Sequence, residues 1–355
     1  MLRRITIFAG LTLLLGVAIL SAQDRPTDDT IKVETKLVSI PTIVSDRNGR
    51  YIPNLRAADF TVWQDGVKQN IDFLAATEEP ISIALLIDTS QSTRPVLGDI
   101  KDSAKSFLKL LGPQDKAMIV SFDYDTHILS PLTSDQEQLV KAIKKAEVPS
   151  GKVGTTLRDA VFQTVNNTFR GLTGRKAIIL LTDGKDHGSE ITTRDLLYRL
   201  EETDTLIYTI FFKTGDPQRQ IMAPIGGRNG DVFGRVRFPG RGGRMGGGGF
   251  PPIPRPPARD NPQRRERAEE QNLEAEAFLQ KLSDLTAGRF YSTKSGKLKD
   301  RFAAIIDELR FQYRLGFYPP DDTGSKILHE LKVKVSRPDA VVRSRGSYRT
   351  QKKTN

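Results

Sequence analysis

The spacing of apolar residues divides the chain into two kinds of sequence. In residues 31–80 and 311–350, apolar and polar positions alternate. Val38, Ile40, Thr42 and Val44 fall on one face of KLVSIPTIVSD, and Ile327, His329, Leu331, Val333 and Val335 alternate with polar residues in ILHELKVKVSR. A period of two predicts half-buried antiparallel strands. Asn48-Gly49 and Asp65-Gly66 signal two-residue hairpins, since a type I′ turn needs positive φ at both central positions. The second would join FTVWQ to VKQNIDFL. Over residues 81–310 the pattern changes. ISIALLID, AMIVSFD, AIILLTD and LIYTIFF are continuous apolar runs, as strands covered on both faces require. They alternate with helical patterns. Leu97, Ile100, Ala104, Phe107, Leu108 and Leu111 share one face, and QEQLVKAIKKA, TLRDAVFQTVNNTF, TRDLLYRLEE, Ala268–Leu285 and Lys297–Arg310 follow suit, with a short strand in GRFYST. This predicts an α/β fold, a three-layer Rossmann-like domain on a mainly parallel sheet. Each flank alone holds too few strands to be stable, and domain termini often lie close together. Residues 31–80 and 311–350 are therefore expected to form one small antiparallel β-sandwich-like unit.

Two segments fall outside this pattern. Residues 1–22, MLRRITIFAGLTLLLGVAILSA, place two arginines before an uncharged run of 16 residues, Ile5–Leu20, and end in small residues. That is the pattern of a secretory signal peptide, and the run is short for a span that needs about 20 residues. Cleaved near Ala22 or retained as an anchor, it predicts an exported protein, periplasmic or secreted. Residues 217–265 hold eleven Gly, nine Pro and ten Arg. This composition buries too little apolar surface to offset its ordering entropy, and it predicts a disordered insertion. The net charge of +11 resides largely there, which leaves the folded body near neutral. An Arg/Gly-rich stretch raises the question of nucleic-acid binding. Only one Arg-Gly-Gly triplet (Arg241-Gly242-Gly243), few aromatics and the expected export argue against it. The stretch is instead expected to be a solvated loop that can steer an acidic partner or touch an anionic envelope surface. The chain has no cysteine and three scattered histidines, which excludes disulfides and thiolate metal sites and disfavours a zinc enzyme.

The candidate chemistry sits at strand ends. Asp88, Ser90 and Ser92 form a D-x-S-x-S pattern between the first buried strand and a helix. One carboxylate and two hydroxyls are hard oxygen ligands, suited to Mg²⁺ or Mn²⁺. Asp183 ends the strand in LLTDGKD, and Thr155 and Thr156 lie in a Gly-containing loop that opens a helix. In a parallel sheet these strand ends share one ligand-binding edge. Any one of these signals alone is also what a helix cap looks like; the three in order are more specific.

IDTSQST, VGTTLRDA and AIILLTDGKD resemble the three metal loops of a von Willebrand factor type A domain, over residues 81–310 apart from the insertion. The flanking VSDRNGRYIPNLRAADFTVWQDGVKQNIDF and ELRFQYRLGFYPP resemble exported proteins of that family known chiefly from acidobacteria. The resemblance implies a metal-ion-dependent adhesion site, with Asp88, Ser90 and Ser92 as the first loop, Thr155 as the second and Asp183 as the third. The family often has Gly-Gly before the threonine, where this chain has Val153-Gly154. It further implies a divalent-cation-dependent adhesion-type binding module, not an enzyme, in which a carboxylate of a protein or ligand partner completes the shell of the metal.

Two other functions fit parts of the pattern. A scaffold with a purely structural metal site needs the same ligands. A magnesium-dependent phosphatase with Asp88 as nucleophile commonly needs a second acid two residues on, where this chain has Ser90. No G-x-S-x-G elbow surrounds either serine. Asp186 and His187 are read as solvated loop residues, Asp159 as a favourable charge at a helix start, and Asp123 and Asp125 as a solvated turn. Trp63 is expected in the core or in a cross-strand pair, and Lys332 and Lys334 on the solvated face of a strand.

Overall fold

In a computed structural model of the chain, residues 37–75, 79–213, 262–292, 297–320 and 326–350 are described. The expected leader, 1–22, and residues 217–261 of the expected insertion lie outside the described residues. The described part belongs to one compact unit, Lys36–Asn355.

Its centre is a six-stranded sheet. The strands are β5 (Ile81–Asp88), β6 (Lys116–Phe122), β7 (Thr126–Thr133), β8 (Arg175–Thr182), β9 (Leu206–Phe211) and β10 (Phe290–Ser292), in the order β10-β9-β8-β5-β6-β7. All neighbours are parallel except β6 and β7. The continuous apolar runs have a simple cause. Ile81, Ile83, Leu85 and Ile87 of β5 pack on one side with α1 (Leu97–Leu108), α2 (Gln136–Lys145) and α6 (Leu298–Arg310). Ala84 and Leu86 pack on the other with α3 (Leu157–Gln163), α4 (Thr193–Glu201) and α5 (Pro262–Leu285). Both faces are covered, so neither can be polar. This is the three-layer α/β fold the sequence predicts.

Two local expectations change. Strand β7 is absent from the sequence reading: it is an antiparallel edge strand, mostly half-exposed, with Pro131 inside it, and such a strand has neither a continuous apolar run nor clean alternation. Helix α5 begins at Pro262 rather than Ala268. The last four residues of the expected insertion are thus helical, and proline at a first helical turn is compatible with that start.

The flanks form two four-stranded sheets. One is ordered β13-β1-β11-β4, from Val341–Ser344, Val38–Ser45, Tyr313–Phe317 and Phe73–Ala75; the other is β14-β12-β2-β3, from Ser347–Arg349, Leu328–Val335, Phe60–Gln64 and Val67–Gln69. Between them lies a core that includes Ile40, Val44, Phe60, Val62, Tyr313, Leu315, Phe317, Leu331 and Tyr348. The β2–β3 hairpin turns through Asp65 and Gly66, with φ of 50° and 84°, the backbone a type I′ turn demands. Asn48-Gly49 does not form such a hairpin. Only Gly49 has positive φ, the Asp46 carboxylate accepts from the Asn48 and Arg50 amides, and a single bridge, Ser45 to Tyr51, follows. The local Asp46 bonds compete successfully with a two-residue turn.

An ion cluster around the buried Glu308 joins the flanks to the α/β layers. Glu308 of α6 accepts from Arg289 at 3.0 Å, from Arg343 of β13, and from the Tyr51 hydroxyl at 3.3 Å. Burial alone would raise its carboxyl, but the Arg343 and Arg289 guanidiniums outweigh that and hold it below the usual range.

Candidate metal centre

The site is built where β5 and β8 end side by side. Their parallel register pairs Ile87 with Leu181, which sets Asp88 beside Thr182 and puts Asp183 one residue beyond. Asp88 and Asp183 are both 0% exposed. Asp88 is held from two directions: Oδ1 accepts from the Ser90 amide at 2.9 Å, and Oδ2 from the Thr182 hydroxyl at 2.6 Å. The chain then turns through a short 3₁₀ segment, Gln91–Thr93, where the Thr93 hydroxyl bonds the carbonyls of Asp88 and Ser90 at 2.9 Å. This turn brings the Ser90 and Ser92 hydroxyls to 3.0 Å from each other, both buried.

Asp183 starts the third loop. Gly184 follows with φ of +72°, and a Cβ there would stand 2.8 Å from that of Ala275 in α5. Only glycine allows this turn against the helix. The Lys185 amide meets Asp183 Oδ1 at 3.3 Å, and the Lys185 ammonium stands 3.5 Å from Oδ2.

The threonine loop is tied to both neighbours. The Thr156 amide and hydroxyl donate to the Asp123 carbonyl at 2.7 and 3.2 Å, which anchors the loop to the end of β6. The amides of His187 and Gly188 donate to the Thr155 carbonyl at 3.1 Å, which anchors it to the third loop. Gly154 permits the approach, since a Cβ there would already stand 3.2 Å from that of Tyr124. Thr155 and Thr156 are both buried.

The structure therefore brings Asp88, Ser90, Ser92, Thr155 and Asp183 into three interlocked loops at one sheet edge. It also gives roles to residues that the sequence reading left in solvent. Asp186 is not a solvated loop residue. Its side chain is mostly buried, and its Oδ2 accepts from the Arg158 amide at the start of α3 at 2.9 Å and from the Ser189 hydroxyl at 2.7 Å. Asp159 does more than favour a dipole: it accepts from the Glu190 and Ile191 amides at 3.0 and 2.9 Å. Asp123 is buried, and its Oδ2 accepts from the Thr89 hydroxyl at 3.0 Å. These three aspartates clasp the loops to one another. Apart from Ser189, three residues from Asp186, their partners come from distant segments, so spacing along the chain gave little signal. His187 is exposed, as read.

The electrostatics suit a cation. Burial, and then the Asp183 carboxylate, push the Asp88 carboxyl well above its usual range. Two enclosed carboxylates lie here with the Lys185 ammonium beside Asp183, and the Ser90 and Ser92 hydroxyls are close by in the loop that follows Asp88. Among the described residues, no group of three or more His, Asp or Glu could by itself hold a metal. A set of two carboxylates and three hydroxyls offers only hard oxygen donors and fits a hard divalent cation.

Residues 83–185 match the family profile of the von Willebrand factor type A domain. No curated protein matches the chain in sequence. Among solved structures, the chain is similar to a von Willebrand factor type A protein from Catenulispora acidiphila, at 13% identity and a TM-score of 0.43, over 82% of this chain and 72% of that one. It is similar to an aerotolerance-related membrane protein from Bacteroides fragilis at 16% identity and a TM-score of 0.42, over 64% of this chain and 98% of that one. It is also similar to proximal thread matrix protein 1 of the mussel byssus, solved with a zinc-occupied metal-ion-dependent adhesion site, at 15% identity and a TM-score of 0.41, over 64% of this chain and 47% of that one. From the profile match over 83–185 and the three-layer fold around it, this chain contains a von Willebrand factor type A domain.

Proposed function

We propose that this protein is an exported, divalent-cation-dependent binding module that captures a partner through an acidic side chain. The observation that carries the reading is the pair of buried carboxylates, Asp88 and Asp183, on adjacent strand ends, with the Ser90 and Ser92 hydroxyls in the loop that follows Asp88. Asp88, Ser90, Ser92, Thr155 and Asp183 would hold Mg²⁺ or Mn²⁺, and Thr156 would hold the loop, because its hydroxyl is engaged by the Asp123 carbonyl. The cation, when bound, supplies an electrophilic position for a partner carboxylate. The chain's own residues do the rest. Thr182 and the Ser90 amide fix the Asp88 carboxylate, and Asp186 and Asp159 hold the loops in register. Binding rather than turnover is the reading that the match of residues 83–185 to the von Willebrand factor type A domain favours. Export rests on the sequence of residues 1–22, and N-terminal sequencing of the mature protein from cell fractions tests it.

The central experiment is titration calorimetry of the full chain with MgCl₂ and MnCl₂. One cation per chain is expected, with uptake reduced at least about a hundredfold in Asp88→Ala, the loss typical of a deleted charged ligand (roughly 3–5 kcal/mol). Pull-downs from envelope extract with Mg²⁺ or EDTA then ask whether capture follows the metal. No uptake of either cation by the wild-type chain would remove the proposal.

A further inference from the structure

The outer face of the β14-β12-β2-β3 sheet carries a second arrangement that the metal crevice does not use. In β2 and β12, Phe60, Val62, Gln64, His329, Leu331 and Val333 are buried, so Thr61, Trp63, Glu330, Lys332 and Lys334 lie on the opposite face. The antiparallel register sets Lys68, Trp63 and Lys332 directly abreast on three neighbouring strands. Residues so opposed share a face, and strands lie about 4.8 Å apart, so a lysine stands on each side of the indole. Lys334, abreast of Thr61, approaches diagonally, its ammonium 5.7 Å from the centre of the ring. Trp63, Gly66, Glu330, Lys332 and Lys334 line one shallow depression there. Trp63 is thus half-exposed rather than core.

We infer that this face binds an acidic polysaccharide, with the C–H face of a sugar ring stacked on Trp63 and its carboxylates meeting Lys68 and Lys332. Charge complementarity carries the choice of occupant: three ammonium groups and one carboxylate, Glu330, surround a flat apolar ring. A membrane would engage apolar side chains standing clear of the sheet, whereas here the ring lies among the amines. Single-stranded nucleic acid is read by successive aromatics, and this face presents one. The inference does not depend on the metal reading.

Trp63 is the only tryptophan in the chain, so its emission reports this face alone. That matters because the arginine-rich stretch 217–265 also attracts polyanions in bulk. The full chain is titrated with polygalacturonate in EDTA, which keeps the Asp88–Asp183 crevice out of the result. A saturable change in emission is expected, with dextran giving none. Lys68→Glu and Lys332→Glu should each weaken half-saturation about ten-fold at unchanged circular dichroism and melting temperature, and Lys332→Arg should restore most of it. The inference is overturned by an unchanged emission, by an equal response to dextran, or by wild-type half-saturation in both glutamate variants. It is equally overturned if phosphatidylglycerol vesicles or oligothymidylate act at lower concentration than polygalacturonate.

Discussion

Asp88 and Glu308 are both carboxylates with no solvent exposure, yet they are treated in opposite ways. Glu308 is met by two guanidiniums from outside its own helix, Arg289 and Arg343, and its carboxyl is held below the usual range against the effect of burial. Asp88 is met by an amide, a hydroxyl and the charge of a second carboxylate, and its carboxyl is pushed up, first by burial and then by Asp183. A buried acid that is neutralised by the fold holds parts of the fold together. A buried acid that meets only neutral donors and a second acid is, on the reading proposed above, where a cation would bind.

The sharpest way to break this comparison is to remove the structural acid. Glu308→Ala leaves the half-buried Arg343 without its partner, and a loss of about 2–3 kcal/mol is expected in urea unfolding, the range for hydrogen bonds to charged groups. A loss under about 1 kcal/mol would mean that water replaces the pair and that the two acids do not differ as argued. The matching change at the metal centre should act in the other direction. Asp88→Asn removes a poorly compensated charge, so in EDTA the variant should be more stable than wild type by about 1–2 kcal/mol while losing magnesium uptake. A destabilised Asp88→Asn in EDTA would show that the carboxylate serves the fold first.

Acid sharpens the contrast further. The folded-state carboxyl of Glu308 lies below its unfolded value of about 4.3, so its contribution is full above that pH and is lost as pH falls from there through the folded value. Unfolding curves between about pH 6 and 2.5 should show this acid loss in wild type and a shallower one in Glu308→Gln. The smallest effect belongs to the loop clasp. Asp186→Ala deletes acceptors for the Arg158 amide and the Ser189 hydroxyl, and should cost about 1 kcal/mol of stability, as loss of a helix cap does. Because Asp186 is expected to hold the loops and not the cation, magnesium affinity should fall only a few-fold in the same variant.

Much of this was legible in order along the chain. The four continuous apolar runs announced strands covered on both faces, and β5, β8 and β9 are just that. Asp65-Gly66 specified its hairpin because the turn's backbone angles are a property of two residues. Asn48-Gly49, with the same local signal, did not, because the Asp46 carboxylate two residues earlier captured the amides. Strand β7 was illegible because an edge strand with an internal proline follows no period. Trp63 was read as core or as part of a cross-strand pair, and the register chose the second, because the other face of β2 fills the core.

The sequence by itself determined the strand–helix alternation and the oxygen-rich residue types at three strand or helix ends, since these follow from local periodicity and side-chain chemistry. Only the tertiary structure decided that Asp123, Asp159 and Asp186 clasp the loops, that Glu308 is neutralised by Arg289 and Arg343, and that Lys332 comes abreast of Trp63. The physical reason is that hydrogen bonding, charge compensation and cross-strand neighbourhood are properties of pairs. In this chain the members of most of those pairs are brought together by sheet register and loop closure, not by closeness in sequence.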